Sequence, residues 1–424
     1  RKMLKLPPWC VPWLAARIFA GSALGCAANA QTTPLPPPTV ASAHAQEHVT
    51  LAQALEAAWR RSLDATQASG LQQQALANQS VADNWLAAAP SLLLAQREPS
   101  SARTGDARET EAGLALPLWR PGQRRISALA AQTDQVWAQA YADAAQWRLA
   151  AQVRELAGQL EIASAQLRQA EVQRELLAGL ANDVAQRVSA GDLAPSDALA
   201  AQAELLAAQS RAAELQRERQ THQANWLLLT GLHAWAELDM PRTGARDLSE
   251  HPEMILADIA VERARQRVEL VQAQRGAQPE LGVSIRQERP GQGQPRQNSL
   301  AVSIKLPIGT QGYNQPQMAA AVAQHDLALT AQQRTQLQLL SELELATRAL
   351  ESSQAQADTE MSRAKLLGQR AQLLRKSFDA GETALPELLR AVAAAAQADA
   401  AATRQTTALA LAQARVHQAQ GILP

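Results

Sequence analysis

Cysteine and aromatic residues are scarce in this chain. Its 424 residues include two cysteines, Cys10 and Cys26, and only 3% of the side chains are aromatic. Both cysteines precede residue 30, so the rest of the chain has no thiol for a disulfide or a metal site. The apolar fraction of 46% is largely alanine, which favours closely packed helices over a thick globular core. This composition argues against a compact enzyme.

Net charge is lacking as well. Basic and acidic residues number 40 each, so no basic surface indicates nucleic acid and no acidic surface indicates a basic substrate. Apart from His44 and His48, which lie in a proline-flanked segment, the histidines show no metal-ligand spacing. No glycine-rich phosphate loop follows a strand. We therefore expect no catalytic residue, no cofactor, no bound metal and no nucleic acid partner.

Long apolar runs are missing after residue 30. Residues 1–30 have the order of a secretory signal peptide: a basic start, a mostly apolar run over 11–28, and the small-residue cleavage pattern Ala28-Asn29-Ala30. A membrane anchor and acylation of Cys26 are the alternatives. Residues 31–49 are rich in proline and are expected to form a tether, because such a segment can bury little apolar surface.

A turn sequence occurs twice in the chain. Val188-Ser-Ala-Gly-Asp-Leu-Ala-Pro-Ser-Asp197 has a counterpart in Phe378-Asp-Ala-Gly-Glu-Thr-Ala-Leu-Pro-Glu387. In each copy a glycine supplies the permissive backbone that ends a helix, and a proline stands where the first turn of a new helix tolerates it. Both copies therefore predict a tight turn between two helices.

The two turns set an offset that other residues share. Gly191 and Gly381 are 190 residues apart (381 − 191), and the same distance separates Pro117 from Pro307 and Gly231 from Gly421. Such a repeat indicates one unit written twice. We predict a first repeat over 50–231, a connector over 232–252 and a second repeat over 253–424.

Each repeat contains a segment in which apolar and polar residues alternate at period two. The segments predict β-hairpins at about 90–119 and 279–308, and Leu281, Val283 and Ile285 show the alternation most clearly. Each strand would have roughly nine to eleven residues, enough for a tilted strand to cross a bilayer, and a small soluble sheet is the alternative. Trp119 alone is placed to serve in an interfacial aromatic girdle.

Long helical runs without proline follow the hairpins, from Gln123 to Val188 and from Gln317 to Phe378. At 1.5 Å per residue each would be roughly 90 to 100 Å long. Apolar residues in the first run step by four and three, the spacing of a coiled coil. A first helix is expected from Thr50 to about Ala88, and shorter return helices begin at Pro195 and Pro386.

Four strands cannot close a sheet by themselves. Open edges would leave backbone groups unpaired in hydrocarbon, whereas three copies would supply twelve strands, enough for a barrel with a water-filled lumen. The predicted fold is mainly α with a small β part. It is a trimeric β-barrel with four strands per chain, continued on one side by a long α-helical coiled-coil tube, with an internal duplication.

From Thr50 to Leu423 the chain resembles the TolC-like outer membrane efflux proteins. The resemblance rests on the paired helix–hairpin–helix halves, on the two turn sequences, and on the strand ends Leu116-Pro117 and Leu306-Pro307. Within that family the chain is most similar to the heavy-metal branch typified by CzcC. The segments that carry this similarity are His251-Pro252-Glu253, Ala273-Gln274-Arg275 and Leu306-Pro307-Ile308 with Gln311-Gly312.

The resemblance implies a location and partners. The chain would form a homotrimeric channel in the lipid of the outer membrane, with most of its length in the periplasm. It would work with a periplasmic membrane-fusion adaptor and an inner membrane resistance-nodulation-division type pump, as a passive exit duct for heavy-metal cations. Drug efflux and type I protein secretion are alternative roles, and a secreted coiled-coil scaffold is an alternative class.

The resemblance also implies roles for individual residues. The turns at the far tip would contact the adaptor through Ala190, Gly191, Asp192, Leu193, Ala380, Gly381, Glu382 and Thr383. The gate would lie where the helices beyond these turns converge. Asp197 and Glu387 match acidic gate positions, while Arg390 stands where TolC has a second aspartate. Glu387 and Arg390 are spaced to form an i, i+3 pair, which would weaken the preference for cations.

Overall fold

The computed structural model describes residues 49–98, 107–238, 247–274, 276, 278–290, 294–308 and 311–424. The predicted signal peptide, nearly all of the tether, and Cys10, Cys26, His44 and His48 lie outside these residues. Part of the predicted connector, residues 239–246, lies outside them too.

The first half of the described chain contains four helices and a hairpin. In order they are α1 (Leu51–Arg61), α2 (Leu63–Asp83), β1 (Ser91–Arg97), β2 (Arg108–Pro117), α3 (Gln123–Ala190) and α4 (Pro195–Thr230).

The second half repeats this order with a single helix before its hairpin. A 3-10 turn (Leu248–Glu250) precedes α5 (Pro252–Ala273), β3 (Glu280–Arg289), β4 (Gln297–Lys305), α6 (Gln311–Asp379) and α7 (Leu385–Ala419). The predicted duplication is thus visible in the order of the elements. It is also visible in the backbone, because Gly191, Gly231, Gly381 and Gly421 all have positive φ.

The helix predicted from Thr50 to about Ala88 is wrong: there are two helices, and the second ends at Asp83. At Ser62 the backbone is extended, with φ −77° and ψ 147°. The Ser62 hydroxyl donates to the carbonyl of Trp59 (2.9 Å) and accepts from the N–H of Ala65 (3.0 Å). Ser62 therefore bonds to the end of one helix and the start of the next, so the helix is interrupted without glycine or proline.

The helices pack as a row with α3 near its centre. α5 and α7 each contact both α3 and α6, so they lie between the two long helices, whereas α2 and α4 contact α3 but not α6. Among the described elements, the backbone of α6 runs close to that of α5, α7 and the 3-10 turn only, and side chains near its end also reach α3. The row therefore has two free edges, one formed by α2 and α4 and the other by α6.

Large apolar side chains are exposed on both free edges. On α2 and α4 they are Leu63, Leu76, Val81, Leu199, Leu206 and Leu228, and on α6 they include Leu327, Leu337, Leu345, Leu366 and Leu373. Exposed apolar patches of this extent mark surfaces that bind a partner.

Buried apolar residues form two clusters along the row. One joins α1, the middle of α3 and the end of α4, with Trp226 fully buried in it. Val49 pairs with Ala236 beside this cluster, which ties the start of the described chain to the segment after α4. The other cluster lies at the far end, where α3, α4, α6 and α7 meet their turns.

The four predicted strands are confirmed, and they form one antiparallel sheet in the order β1-β2-β3-β4. Pairing of β2 with β3 joins the two halves of the chain through ten residue pairs. β1 and β4 each pair on one side only among the described residues. The sheet thus ends in two unpaired edges, as the closure argument requires.

Candidate channel wall and tip turns

One face of the sheet is apolar across all four strands. The register places Leu92, Leu114, Val283 and Val302 side by side in one row. The rows on either side contain Leu116, Leu281 and Ile304, and then Leu94, Ala112, Ile285 and Leu300. Most of these side chains are exposed, Leu92 by 69% and Val302 by 67%. A monomeric soluble sheet would bury such a face, so this face needs lipid or a partner.

The opposite face of the sheet carries charge. The guanidinium of Arg286 lies 3.0 Å from Glu109, 3.3 Å from Glu288 and 3.7 Å from Glu111. Arg97 adds a contact of 3.6 Å to Glu109. Strands that are apolar on one side and charged on the other have the pattern of a membrane channel wall with a polar lumen.

Two tryptophans lie next to the strand ends that join the helices. Trp119 donates its indole N–H to the carbonyl of Asn84 (2.9 Å), and Trp85 is 68% exposed. Trp119 is half-buried, and tryptophans beside an apolar face are typical of a membrane interface. Trp85 was not predicted at this boundary, because the helix expected from Thr50 to about Ala88 would contain it.

The predicted tip turns are helix C-caps of the same kind. Gly191 follows α3 with φ 83°, and Gly381 follows α6 with φ 78°. The N–H of Asp192 reaches back to the carbonyl of Arg187 at 2.9 Å, and the N–H of Glu382 makes the equivalent bond, also 2.9 Å. This is the Schellman arrangement, in which glycine is favoured because of its positive φ.

The remaining tip residues lie on the same two turns. Ala190 is the last residue of α3, and Ala380 directly follows α6. Asp192 and Glu382 are exposed, whereas Leu193 packs against the apolar cluster at this end. The structure therefore brings both turns to one end of the helix row, each with an exposed carboxylate.

A ring of four charges ties the two long helices together just above the turns. Arg187 of α3 lies 3.5 Å from Asp183 and 3.6 Å from Asp379, while Arg375 of α6 lies 3.5 Å from Asp183 and 3.2 Å from Asp379. Arg187 also stacks over the ring of Phe378, with 5.0 Å to its centroid. The sequence could not show this ring, because its members come from helices far apart in the chain.

The candidate gate residues lie in the first turn of α4 and the first two turns of α7. Asp197 accepts a hydrogen bond from the N–H of Ala194 (3.3 Å) and so helps to cap α4. Glu387 and Arg390 are exposed. The predicted Glu387–Arg390 pair is not formed: Arg390 Nε donates instead to the carbonyl of Pro386 (3.2 Å), which is within reach one helical turn back.

The middle of α3 holds a buried polar cluster that sequence reasoning missed. Arg154 is only 2% exposed. It donates to Gln418 Oε1 and to the carbonyl of Ile422, the latter at 2.7 Å. Gln418 in turn exchanges two hydrogen bonds with Trp147, of 3.0 and 2.9 Å. Burial lowers the pKa of Arg154 to about 10. These bonds fasten the end of α7 and the segment after it to the first half of the chain.

The segment His251-Pro252-Glu253 has a packing role in the structure. His251 Nδ1 accepts from the N–H of Glu253 (3.1 Å) and caps α5, and its ring meets Trp147 edge-on with centroids 4.6 Å apart. Glu253 pairs with Arg148 at 2.5 Å. The segment thus docks α5 onto α3.

Burial lowers the pKa of His251 to about 4, which makes the stability of the fold depend on pH. The unfolded chain, with an ordinary histidine pKa near 6.5, takes up a proton first. The contribution of neutral His251 to the free energy of unfolding is therefore present above about pH 6.5. It is lost as the pH drops from 6.5 towards 4, by up to about 3 kcal/mol. We expect the thermal midpoint to fall between pH 7.5 and 4.5, and to fall less in His251→Asn, which keeps a capping acceptor but does not titrate.

The remaining pH dependence of that variant has an identified source. Burial, and then the charge of Arg154, lower the pKa of His417. The His251→Asn variant is therefore expected to keep a small acid-induced loss. Equal acid sensitivity of the parent and His251→Asn would contradict the assignment to His251.

Neither a membrane-spanning helix nor a metal cluster occurs in the part of the chain that the structure describes. No described helix is both long and apolar enough to span a bilayer. No group of three or more potential metal-ligating side chains comes together within the described residues.

Solved structures share the arrangement of helices and strands. The open state of the outer membrane channel MtrE of Neisseria gonorrhoeae is 18% identical, with a TM-score of 0.69 over 88% of this chain and 89% of that one. The outer membrane channel CmeC of Campylobacter jejuni is 16% identical, with a TM-score of 0.69 over 88% and 85%. The outer membrane protein VceC of Vibrio cholerae is 16% identical, with a TM-score of 0.68 over 88% and 96%. The chain matches no protein-family model and no curated protein.

Proposed function

We propose that this chain, which has the fold of the TolC-like outer membrane channels, is the outer membrane component of a tripartite efflux system. Three copies would form a passive exit duct, and most of each chain would lie in the periplasm. An inner membrane pump and a periplasmic adaptor would deliver the substrate. No catalytic residue or cofactor is needed for this role, since the energy would be supplied by the partner pump.

The observation that carries this proposal is the pair of open edges. β1 and β4 are unpaired on their outer sides among the described residues, and the sheet between them has one apolar and one charged face. The helix row ends in the apolar edges of α2 with α4 and of α6. Pairing β4 of one copy with β1 of the next would keep the antiparallel order, satisfy the backbone groups and cover the apolar helix edges.

The tip turns are the proposed contact with the adaptor. Above them an apolar groove of about 930 Å³ runs between α3 and α6 with α7 as its floor, lined in part by Val172, Leu176, Leu180 and Val392. A helical hairpin could lay its apolar face in such a groove. Rigid long helices would hold the groove and both turns in fixed relation.

Heavy-metal cations are the proposed cargo, on the resemblance to the CzcC-type branch. The segment His251-Pro252-Glu253, which carries part of that resemblance, packs α5 on α3, a role that suits a channel for any cargo. Drug efflux therefore stays an alternative. Intracellular zinc, cobalt and a fluorescent dye should be measured in cells that lack their own channel, with and without this chain and its neighbouring pump genes. Lower metal content without lower dye content would support the metal cargo.

The channel itself is tested by mass and conductance. The detergent-extracted protein is expected to have the mass of three chains and to form ion-conducting pores in a planar bilayer. A water-soluble monomer that conducts no ions would refute the proposal and favour the coiled-coil scaffold.

The gate is a separate proposal, based on the place of Asp197, Glu387 and Arg390 beside the tip. If Arg390 links to an acidic group of a neighbouring chain, Arg390→Ala should open the constriction and raise single-channel conductance. Glu387→Ala is expected to change the preference for cations over anions. Conductance and reversal potential should be compared at low and high salt. If both variants match the parent under all conditions, the constriction lies elsewhere.

A further inference from the structure

The apolar face of the sheet also carries a row of arginines, which lies beyond its three rows of apolar residues. Arg108 alternates in step with Leu114 and therefore lies on the apolar face, directly paired with Arg289 of β3. Arg296 immediately precedes β4, one position beyond the last β3–β4 pair. Glu98 completes the row beyond β1 and contacts Arg108 at 3.0 Å.

The charges of this row are not balanced. Three arginines stand against one glutamate, and Arg108 and Arg289 are like charges placed directly opposite each other, which destabilises a sheet. The opposite face of the sheet differs, because Arg286 is surrounded there by three glutamates. The side chain of Arg108 is 59% exposed. The row of arginines on the apolar face thus presents a positive surface, and an anion between Arg108 and Arg289 would stabilise it.

The depth of the row fits the boundary of a membrane. Arg108 lies eleven residues from Trp119 along the chain (119 − 108), which corresponds to a height of about 28 Å for an extended strand tilted by about 40°. The hydrocarbon band of an outer membrane barrel is about 25 Å tall. The tryptophans would then mark the boundary near the helices, and the arginines would lie at the level of the outer headgroups.

We propose that Arg108, Arg289 and Arg296 bind the phosphate groups of a phosphorylated glycolipid in the outer leaflet. This inference rests on the proposed function, since only insertion in the outer membrane brings this face to such a lipid. Guanidinium groups match phosphate oxygens through paired hydrogen bonds. A polar row of Gln96, Thr110, Gln287 and Asn298 separates the arginines from the apolar band, which leaves space for the sugar part of the headgroup.

Lipid binding to the intact detergent-extracted complex would test this site. The complex is incubated with diphosphorylated lipid A or with phosphatidylglycerol, and retained lipid is counted by native mass spectrometry. We expect the parent to retain lipid A at least tenfold better than the triple variant Arg108→Gln, Arg289→Gln, Arg296→Gln. The matched control is Arg97→Gln, which removes an arginine from the other face at the same end of the sheet and should bind lipid A like the parent.

Several results would overturn the proposal. Equal lipid A retention by the parent and the triple variant would remove the arginines from the site. An equal loss of lipid A retention in Arg97→Gln would show a general charge effect. Retention of phosphatidylglycerol by the parent equal to that of lipid A would exclude recognition of the glycolipid.

Conductance separates a failure of the lipid proposal from a failure of the channel function. If the parent and the triple variant form the same pores, the channel stands whatever the lipid result, and if the parent forms none, the proposed function fails first.

Discussion

Replacing Gly191 and Gly381 by valine is expected to reduce the proposed export to the level of cells that lack the channel. Both glycines have positive φ, of 83° and 78°, and a Cβ at either position would meet no atom within 4 Å. The effect is therefore backbone strain, of at least about 1–2 kcal/mol per turn. The strained turns would adopt another conformation and present their carboxylates differently to the proposed adaptor. Substrate accumulation in living cells measures the loss.

Asparagine provides the matched control at these positions. It tolerates the left-handed conformation better than other non-glycine residues, so Gly191→Asn with Gly381→Asn should keep most of the export. The mass of the extracted complex should equal that of the parent in both double variants, because the turns lie away from the sheet edges. Full export by a correctly assembled valine variant would exclude the turns from the adaptor contact.

Arg154→Ala is expected to destabilise the helix row strongly. It would leave Gln418 Oε1 and the Ile422 carbonyl without their donor and create a cavity where a side chain was 2% exposed. Each unpaired buried group costs about 1–3 kcal/mol. Together with the cavity, the loss is expected to be about 3–5 kcal/mol. The thermal midpoint of the extracted complex, measured by circular dichroism, would show it.

A neighbouring arginine gives the comparison for Arg154. Arg415 also joins α7 to α3, through contacts of 2.9 Å to Glu155, but its side chain is 57% exposed. Exposed ion pairs contribute about 0–1 kcal/mol, so Arg415→Ala should shift the midpoint little. Equal shifts for the two variants would show that burial and carbonyl pairing at Arg154 add nothing.

Local signals explain how much of the fold could be predicted. A glycine at a helix C-cap and a period-two alternation each depend on a few neighbouring residues, so the turns, the strands and the duplication were found. The break at Ser62 was missed because a serine that bonds to both helix ends leaves the apolar spacing unchanged. Trp85 could be placed between α2 and β1 only if the end of α2 at Asp83 were known. The sequence has no glycine or proline at that position to mark the end.

A candidate site could be predicted from the sequence only where a single stretch of the chain forms it. The tip turns are such segments, and the structure places both at one end of the row. The ring of Asp183, Arg187, Arg375 and Asp379 depends on two helices that meet only in the folded chain, so no spacing reveals it. The missing Glu387–Arg390 pair has a local cause, since Arg390 reaches the Pro386 carbonyl.

The partners of Arg154 have a consequence for how the protein is made. Gln418 and Ile422 leave the ribosome 264 and 268 residues after Arg154. Until then the guanidinium on α3 has no carbonyl to bind, and burying it unpaired would be strongly unfavourable. The middle of α3 should therefore stay accessible to chaperones and proteases throughout translation. Chains that stop before residue 418 would keep this recognition signal, so the cell could degrade them as incomplete.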